Sequence, residues 1–215
     1  MTEKKKDNNL AKPDENGNVR VEGHIKIFDP VSKEVFVDKR NAIHYENMSK
    51  ALALSIANKG IGTIHEMHFG NGGTSVDTTG IITYLPPNTT GANADLYNPT
   101  YYKVVDDTSQ LNTDPGRNKI VVKHTPGLIY SDVLVTCLLD YGEPAGQQAF
   151  DNSIGLDDSF VFDELGLKSW TEAGEGAGDL LTHVIFHPIQ KSLNRLIQID
   201  YTVRIQTLTN LGTIA

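Results

Sequence analysis

The chain has 215 residues, 39% of them hydrophobic, with a formal net charge of -8 and an isoelectric point near 5.3. This length and composition predict one globular domain, and the acidic balance argues against nonspecific nucleic-acid binding through a basic surface. Cys137 is the only cysteine, so an intrachain disulfide is excluded, and its apolar strand neighbours place it in the core. Because no apolar run approaches the length of a membrane span and residues 1–7 contain no apolar signal segment, we expect a soluble protein made in a cytoplasm.

The N-terminal part of the chain predicts an arm followed by a hairpin. Residues 1–18 are polar and cannot offset the entropy of ordering alone, so they predict a flexible N-terminal arm, ordered only by a neighbouring chain. Residues 19–215 predict a single domain. Apolar residues alternate over 19–37 around a turn that contains Asp29 and Pro30, which is typical of a β-hairpin.

One helix is predicted after the hairpin. Asn47 is the predicted N-cap, the helix covers 48–59, and Gly60 ends it. A single helix of about three turns beside many strands is better suited to closing the end of a sheet or making a contact than to forming a catalytic scaffold.

A predicted strand over 61–69 leads into the glycine-rich segment 70–74. A glycine-rich turn after a strand is also found in phosphate loops, but the Gly-Lys-Ser/Thr signature is missing and no helical pattern follows, so we do not predict a phosphate site. Residues 73–103 then form a long polar insertion loop. Connections of this length are unusual in compact domains unless they bind something, so the loop is the predicted contact surface.

The remaining sequence predicts further strands. A strand at 129–140 has apolar residues on both faces, and the long strand at 193–207 alternates apolar and polar residues, so both are predicted to be central. Shorter strands are predicted at 103–106, 119–124, 160–167 and 180–188. The predicted fold is mainly β, an antiparallel β-sandwich of jelly-roll or Ig-like type, with one short helix, long loops and an extended N-terminal arm.

Seven histidines raise the question of a metal site. His183 and His187 lie four apart in a strand, about 13 Å from each other at about 3.3 Å per residue, too far to bind one ion. His65 and His68 point to opposite faces of a strand, so either one would need ligands from elsewhere. The acids Asp157-Asp158 and Asp163-Glu164 lack the spacing of a calcium loop and are interpreted as exposed loop acids.

Catalytic motifs are also missing from the sequence. Gly-x-Ser-x-Gly is absent, Cys137 is predicted to be buried, and no carboxylate pair has the spacing that suggests glycoside hydrolysis. We therefore predict no catalytic residue, no cofactor and no metal, although a hydrolase site assembled from distant strands stays open.

One set of motifs does carry a resemblance. Residues 163–169, Asp-Glu-Leu-Gly-Leu-Lys-Ser, precede a glycine-rich tip, a strand over 180–188, a lysine-containing loop over 189–192 and the long final strand. Upstream, the predicted helix leads into a strand that ends in Phe-Gly-Asn-Gly-Gly-Thr at 69–74. Together these motifs, over about residues 40–208, resemble a β-sandwich module of structural proteins in tailed bacteriophages. The insertion loop, the N-terminal hairpin and the arm depart from the simpler module.

The resemblance implies a virion component, and such modules occur in tail fibres, baseplates and head decorations alike. The leading hypothesis is a non-enzymatic structural protein of the tail, neck or baseplate that binds copies of itself and other virion proteins, with capsid decoration as the close alternative. A second hypothesis is a receptor-binding module for host-surface glycan. Its candidate stacking residues are aromatic: Tyr84, Tyr97, Tyr101, Tyr102 and Trp170. Core or loop-anchoring roles are the simpler interpretation of these rings.

Overall fold

The structure is a computed structural model that describes residues 17–91, 93–144, 159–192 and 194–209. In this part of the chain, strands alternate with long connections and one helix. The elements are β1 (Gly17–Phe28), β2 (Val35–Ile43), α1 (Tyr45–Ile56), β3 (Ile64–Gly70), β4 (Thr74–Val76), β5 (Ile82–Tyr84), β6 (Pro99–Val104), β7 (Lys119–His124), β8 (Tyr130–Leu139), β9 (Ser159–Ser169), β10 (Thr182–Ser192) and β11 (Ile197–Thr209).

Nine strands form one curled antiparallel sheet, in the order β6-β3-β9-β10-β2-β1-β11-β8-β7, and β4 pairs only with β5. The predicted fold class, mainly β and antiparallel with one short helix, is confirmed. The middle of the sheet is its weakest joint, because β10 and β2 share only the pairs Thr182–Ile43 and His183–Ala42. This joint divides the sheet into a four-stranded half, β6-β3-β9-β10, and a five-stranded half, β2-β1-β11-β8-β7.

The core lies between the two halves. One continuous cluster of buried side chains includes Phe69, Phe162 and Phe186 from the four-stranded half and Ile27 and Ile199 from the five-stranded half. The two ends of the sheet also approach each other, since the Lys103 Nζ of the edge strand β6 donates at 2.8 Å to the Leu138 carbonyl of β8, the strand next to the edge strand β7. The sheet therefore curls into a sandwich whose two layers share one apolar interior.

The final strand behaves as its alternation predicts. Ile197, Ile199, Tyr201 and Val203 are buried, and β11 pairs with β1 on one side and β8 on the other, which is a central position. Cys137, on the neighbouring strand β8, is fully buried as predicted, and burial raises the pKa of its thiol to about 12.

The helix begins and ends three residues earlier than predicted. His44, not Asn47, is the N-cap, and its Nδ1 accepts from the Asn47 backbone N–H at 3.2 Å. Asn47 lies inside the first turn, where its side-chain amide donates to the Leu180 carbonyl at 2.9 Å. The prediction is wrong because a long-range contact uses Asn47 and leaves the capping role to a residue type that rarely fills it.

The N-terminal arm was predicted at 1–18, and residues 1–16 lie outside the described residues, while β1 begins at Gly17. The strand predicted at 103–106 is also displaced, because β6 occupies Pro99–Val104 and pairs with β3. Asp157-Asp158 and most of the polar connection at 142–158 are likewise outside the described residues. The described helix is neither long enough nor apolar enough to cross a membrane.

Candidate contact surface

The connection between β3 and β6, residues 71–98, is the candidate contact surface, and all of it except residue 92 is described. It corresponds to the predicted insertion loop at 73–103, whose last residues instead form β6. We call residues 71–98 the β3–β6 connection. Hydrogen bonds to β9 and β10 hold its base, and the β4–β5 hairpin carries its exposed tip.

Glu164 holds the two ends of the β3–β6 connection together. Its side chain is fully buried in β9, and the residue pairs with Gly70 at the end of β3. Its Oε1 accepts from the backbone N–H groups of Gly72 at 2.9 Å and Asn98 at 2.8 Å, and its Oε2 accepts from the Tyr97 N–H at 2.9 Å. These donors replace the water that a buried carboxylate loses, so the charge is stabilised only while both ends of the connection are in place.

Asp163 binds the turn that follows β3. Its Oδ1 accepts from the Gly73 backbone N–H at 3.0 Å, and its Oδ2 accepts from the Thr74 backbone N–H at 2.9 Å and from the Thr74 hydroxyl. The glycine-rich turn thus directs its N–H groups at the protein's own carboxylates. The interpretation of Asp163 and Glu164 as exposed loop acids is wrong, because both are buried in a strand and receive donors from the β3–β6 connection, 66 to 92 residues away.

The two adjacent carboxyl groups have pKa values shifted in opposite directions. Burial raises the pKa of Glu164, but hydrogen bonds from His183 and from three backbone N–H groups outweigh burial and hold this pKa below its usual 4.5. Burial raises the pKa of Asp163 above its usual 3.8, the bonds from residues 73–74 oppose the rise, and the charge of Glu164 adds to it. The donors therefore favour the charged form of Glu164, whereas burial disfavours the charged form of Asp163.

His183 holds the middle of the β3–β6 connection on β10. Its Nδ1 accepts from the Asn88 backbone N–H at 2.9 Å, which places the proton on Nε2. The Nε2 atom lies 3.0 Å from the Glu164 Oε2 and donates to it. One neutral tautomer therefore satisfies both ring nitrogens, and the histidine links Glu164 to the connection.

Glycine is required where the turn approaches β9 and β10. A Cβ added to Gly72 would lie 2.6 Å from the Tyr97 Cβ and 2.8 Å from the Asn98 backbone nitrogen. A Cβ added to Gly73 would lie 2.9 Å from the Ile185 Cγ2. These separations are shorter than ordinary contacts, so a larger residue would displace the turn from the carboxylates.

A second set of contacts orders the part of the connection near β6. The buried Lys168 Nζ lies 2.8 Å from the Asp95 Oδ2, and the Asn88 side-chain amide donates to the Asp95 carbonyl at 2.7 Å. The Tyr97 hydroxyl donates to the Pro86 carbonyl at 2.7 Å. Hydrogen bonds therefore hold the base together internally, and other polar contacts hold it on the sheet.

The β4–β5 hairpin is the exposed part of the connection. Val76 and Ile81 are 63% and 62% exposed, and Tyr84 is 50% exposed. Asp77 closes the turn between the strands, since its Oδ1 accepts from the N–H groups of Thr79 at 2.8 Å and Ile81 at 3.0 Å. A hairpin of fixed shape therefore presents apolar side chains to solvent above an anchored base.

The histidines considered for metal binding are separated. His183 is buried against Glu164, whereas His187 is exposed and its Nδ1 lies 3.2 Å from the Tyr84 hydroxyl. His65 and His68 both lie in β3, and a register shift beside His65 interrupts the regular pairing with β9 there. Among the residues that the structure describes, no three His, Cys, Asp or Glu side chains are grouped so that they could hold a metal ion.

His65 and His68 have different neighbours. The His68 Nε2 lies 2.6 Å from the Glu66 Oε2, and the ring stacks on Tyr102 with centroids 5.4 Å apart. His65 packs edge-on against Trp170, with ring centroids 4.6 Å apart.

The five aromatic residues considered for sugar stacking do not form one platform. Tyr84 contacts His187, Tyr97 binds the Pro86 carbonyl, and Tyr101 packs on Phe69 and Phe160. Tyr101 and Tyr102 both border a groove of about 520 Å³, and Tyr102 remains 39% exposed there. Loop anchoring is therefore the role that the contacts show for most of these rings.

No protein-family model, curated protein or solved structure matches this chain. The geometry of the β3–β6 connection therefore carries the functional argument. Sequence reasoning predicted this segment as a contact surface, which stays a prediction, and missed the residues that anchor it. The available signal was the pair of acids at 163–164 inside an otherwise apolar strand, where an acid requires a buried donor.

Proposed function

We propose that this chain is a non-enzymatic structural component of a tailed-phage virion, which assembles at the tail, neck or baseplate and contacts its neighbours through the β3–β6 connection. The observation that carries the assembly role is the β4–β5 hairpin, whose exposed Val76 and Ile81 project from a base fixed by buried carboxylates. Exposed apolar side chains on a fixed element are typical of surfaces that another protein covers.

The anchored base matters energetically for such a contact. Ordering a flexible loop during association opposes binding by about 0.5–1.5 kcal/mol for each immobilised side chain. Glu164 and Asp163 bind backbone N–H groups of the connection in the isolated chain, so much of its ordering precedes association. A preorganised hairpin therefore retains more of the free energy of burial for the contact itself.

The virion part of the proposal is supported by the sequence motifs at 69–74, 163–169 and 180–192 that resemble the phage module. Capsid decoration is the alternative position within the same proposal, since the module occurs in both places. The chain would act in the virion after synthesis in the host bacterial cytoplasm, bound to copies of itself and other virion proteins.

Purified particles test the proposal. A blot of denatured particles should detect the chain, and antibody-gold labelling of intact particles should mark its position in electron micrographs. Label at the neck, tail or baseplate supports the leading position, and label over the head supports capsid decoration. Denatured particles that contain no detectable chain would overturn the virion role.

A second candidate function, binding of host-surface glycan, is favoured by one observation. The groove beside Tyr102 is also lined by Asp95, Lys168 and His68, which combines an exposed aromatic ring with polar groups. Binding to an array of bacterial-surface oligosaccharides that Tyr102→Ala abolishes would support this function, and no binding by the wild-type chain would exclude it.

A further inference from the structure

A second apolar surface lies on the five-stranded half, between α1 and one end of β1 and β11. It is a groove of about 1130 Å³, and we call it the β1–α1 groove. Its apolar lining comes from both strands and from one side of the helix: Val19, Val21, Met48, Leu52, Ile56 and Ile205. Ile56 is 86% exposed and Val19 is 61% exposed, so the groove is an open end of the core.

Part of β1 has an open edge along this groove. The whole of β1 pairs with β11, but its pairing with β2 begins only at Gly23, opposite Asn41. Beyond Asn41, β2 turns to pair with β10 and then leads into α1. Within the described part of the chain, residues 17–22 therefore have no strand on the side opposite β11. An open edge beside an apolar groove is suited to accepting an extended segment by strand addition.

We propose that the β1–α1 groove binds the β4–β5 hairpin of a second copy of this chain. The hairpin is extended, and its exposed Val76 and Ile81 match the apolar lining of the groove. Its own base is held on the four-stranded half by Asp163 and by the contact between Tyr84 and His187, so the occupant comes from another copy. This inference rests on the proposed assembly role and identifies the surface that the hairpin contacts.

The charges of the two surfaces are complementary. Asp77 is the only charged residue in residues 74–85, so the hairpin carries a single negative charge. The charged residues that line the groove are Arg20, Glu22 and Arg40, with a net charge of +1. Arg20 pairs with Glu22, whereas Arg40 has no carboxylate partner among the described residues. The negative charge of Asp77 would therefore be attracted to Arg40, whereas a basic hairpin would be repelled from the groove.

The hairpin and the groove share no residue, so the contact joins two different surfaces. Such a heterologous contact leaves each added copy with one free hairpin or one free groove, and it therefore propagates into a ring or a chain of subunits.

A complementation experiment tests the contact directly. Ile81→Asp places a charge on the hairpin and leaves the groove intact, whereas Ala53→Arg fills the groove from an exposed helix position and leaves the hairpin intact. By light scattering at about 100 μM, wild type should associate, and each variant alone should associate at least about tenfold more weakly. Mixing the two variants should form a 1:1 dimer, because one surface of each kind remains. Val31→Asp, at an exposed valine in the β1–β2 turn, is the matched control and should associate like wild type.

The outcomes separate this contact from the assembly role itself. A monomeric wild type, or two variants that fail to combine, would overturn the groove as the hairpin's binding site. If particles then exclude Ile81→Asp but incorporate Ala53→Arg normally, the hairpin binds a different virion protein and the assembly role stands. Normal incorporation of both variants would overturn the assembly role of the hairpin as well.

Discussion

Replacing Glu164 by glutamine should loosen the β3–β6 connection without unfolding the domain. The glutamine oxygen can accept from the Gly72 and Asn98 N–H groups, but its NH₂ group then faces the Tyr97 N–H and the His183 Nε2–H. The Nε2 of His183 cannot become an acceptor for the glutamine NH₂ group, because that would move the ring proton to Nδ1, which accepts from the Asn88 N–H. Two buried donors therefore lose their acceptor.

The magnitude follows from those two donors. Each buried donor without a partner costs about 1–3 kcal/mol, so Glu164→Gln should lower the free energy of unfolding by about 2–6 kcal/mol. The middle of this range, about 4 kcal/mol, is smaller than the total stability of most domains, about 5–15 kcal/mol, so the variant should still fold.

Urea unfolding measures the loss, with Glu172→Gln as the matched control. Glu172 is exposed, so removing its charge should change stability by less than about 0.5 kcal/mol. Hydrogen exchange measures the loosening of the connection itself. The amides of Gly72, Tyr97 and Asn98 should exchange about a hundredfold faster in Glu164→Gln, because a loss of about 3 kcal/mol corresponds to that ratio. A decrease in unfolding free energy below about 1 kcal/mol, or unchanged exchange at these amides, would refute the role of Glu164 in holding the two ends of the connection together.

Three further predictions concern other parts of the structure. Burial lowers the pKa of Lys191 from 10.5 to about 8, so between about pH 8 and 10 the folded chain has released this proton and the unfolded chain still holds it. The stability of wild type relative to Lys191→Met, measured by urea unfolding, should therefore rise with pH over that range. Gly72→Ala should displace the turn and increase proteolysis in the β3–β6 connection, whereas Gly116→Ala, with no neighbour of its Cβ closer than 3.7 Å, should not. Cys137 is fully buried with a raised pKa, so a thiol reagent should modify it only in denaturant, and rapid modification of folded protein would contradict its place in the core.

The sequence predicted the elements whose pattern of apolar and polar residues is set within the element itself. The alternation at Ile197, Ile199, Tyr201 and Val203 identified β11 as a central strand, because a sheet with one buried face imposes that pattern directly. The strand at 119–124 was located at its observed bounds after the turn at 114–117, by its run of β-branched residues. The helix was found but shifted, since the competition between His44 and Asn47 for the capping role is decided by the Leu180 carbonyl, more than 130 residues away.

The anchored base could not be predicted in the same way. Residues 70–74 and 163–164 each have a conventional local interpretation, one as a loop and the other as exposed acids. Their connection depends on the register that places Gly70 opposite Glu164, which a single sequence does not reveal. The β1–α1 groove was missed for a similar reason, because it exists only where β2 leaves β1 to join β10.

The most direct test of the assembly role is a competition between two chains in the same infected cells. Wild type and Ile81→Asp, expressed together, would be quantified by mass spectrometry in purified particles, with Val31→Asp as the matched control against wild type. The account predicts that particles contain at least about tenfold more wild type than Ile81→Asp, a difference of about 1.4 kcal/mol, and equal amounts in the control. Equal incorporation of Ile81→Asp and wild type would contradict the claim that the β4–β5 hairpin mediates assembly.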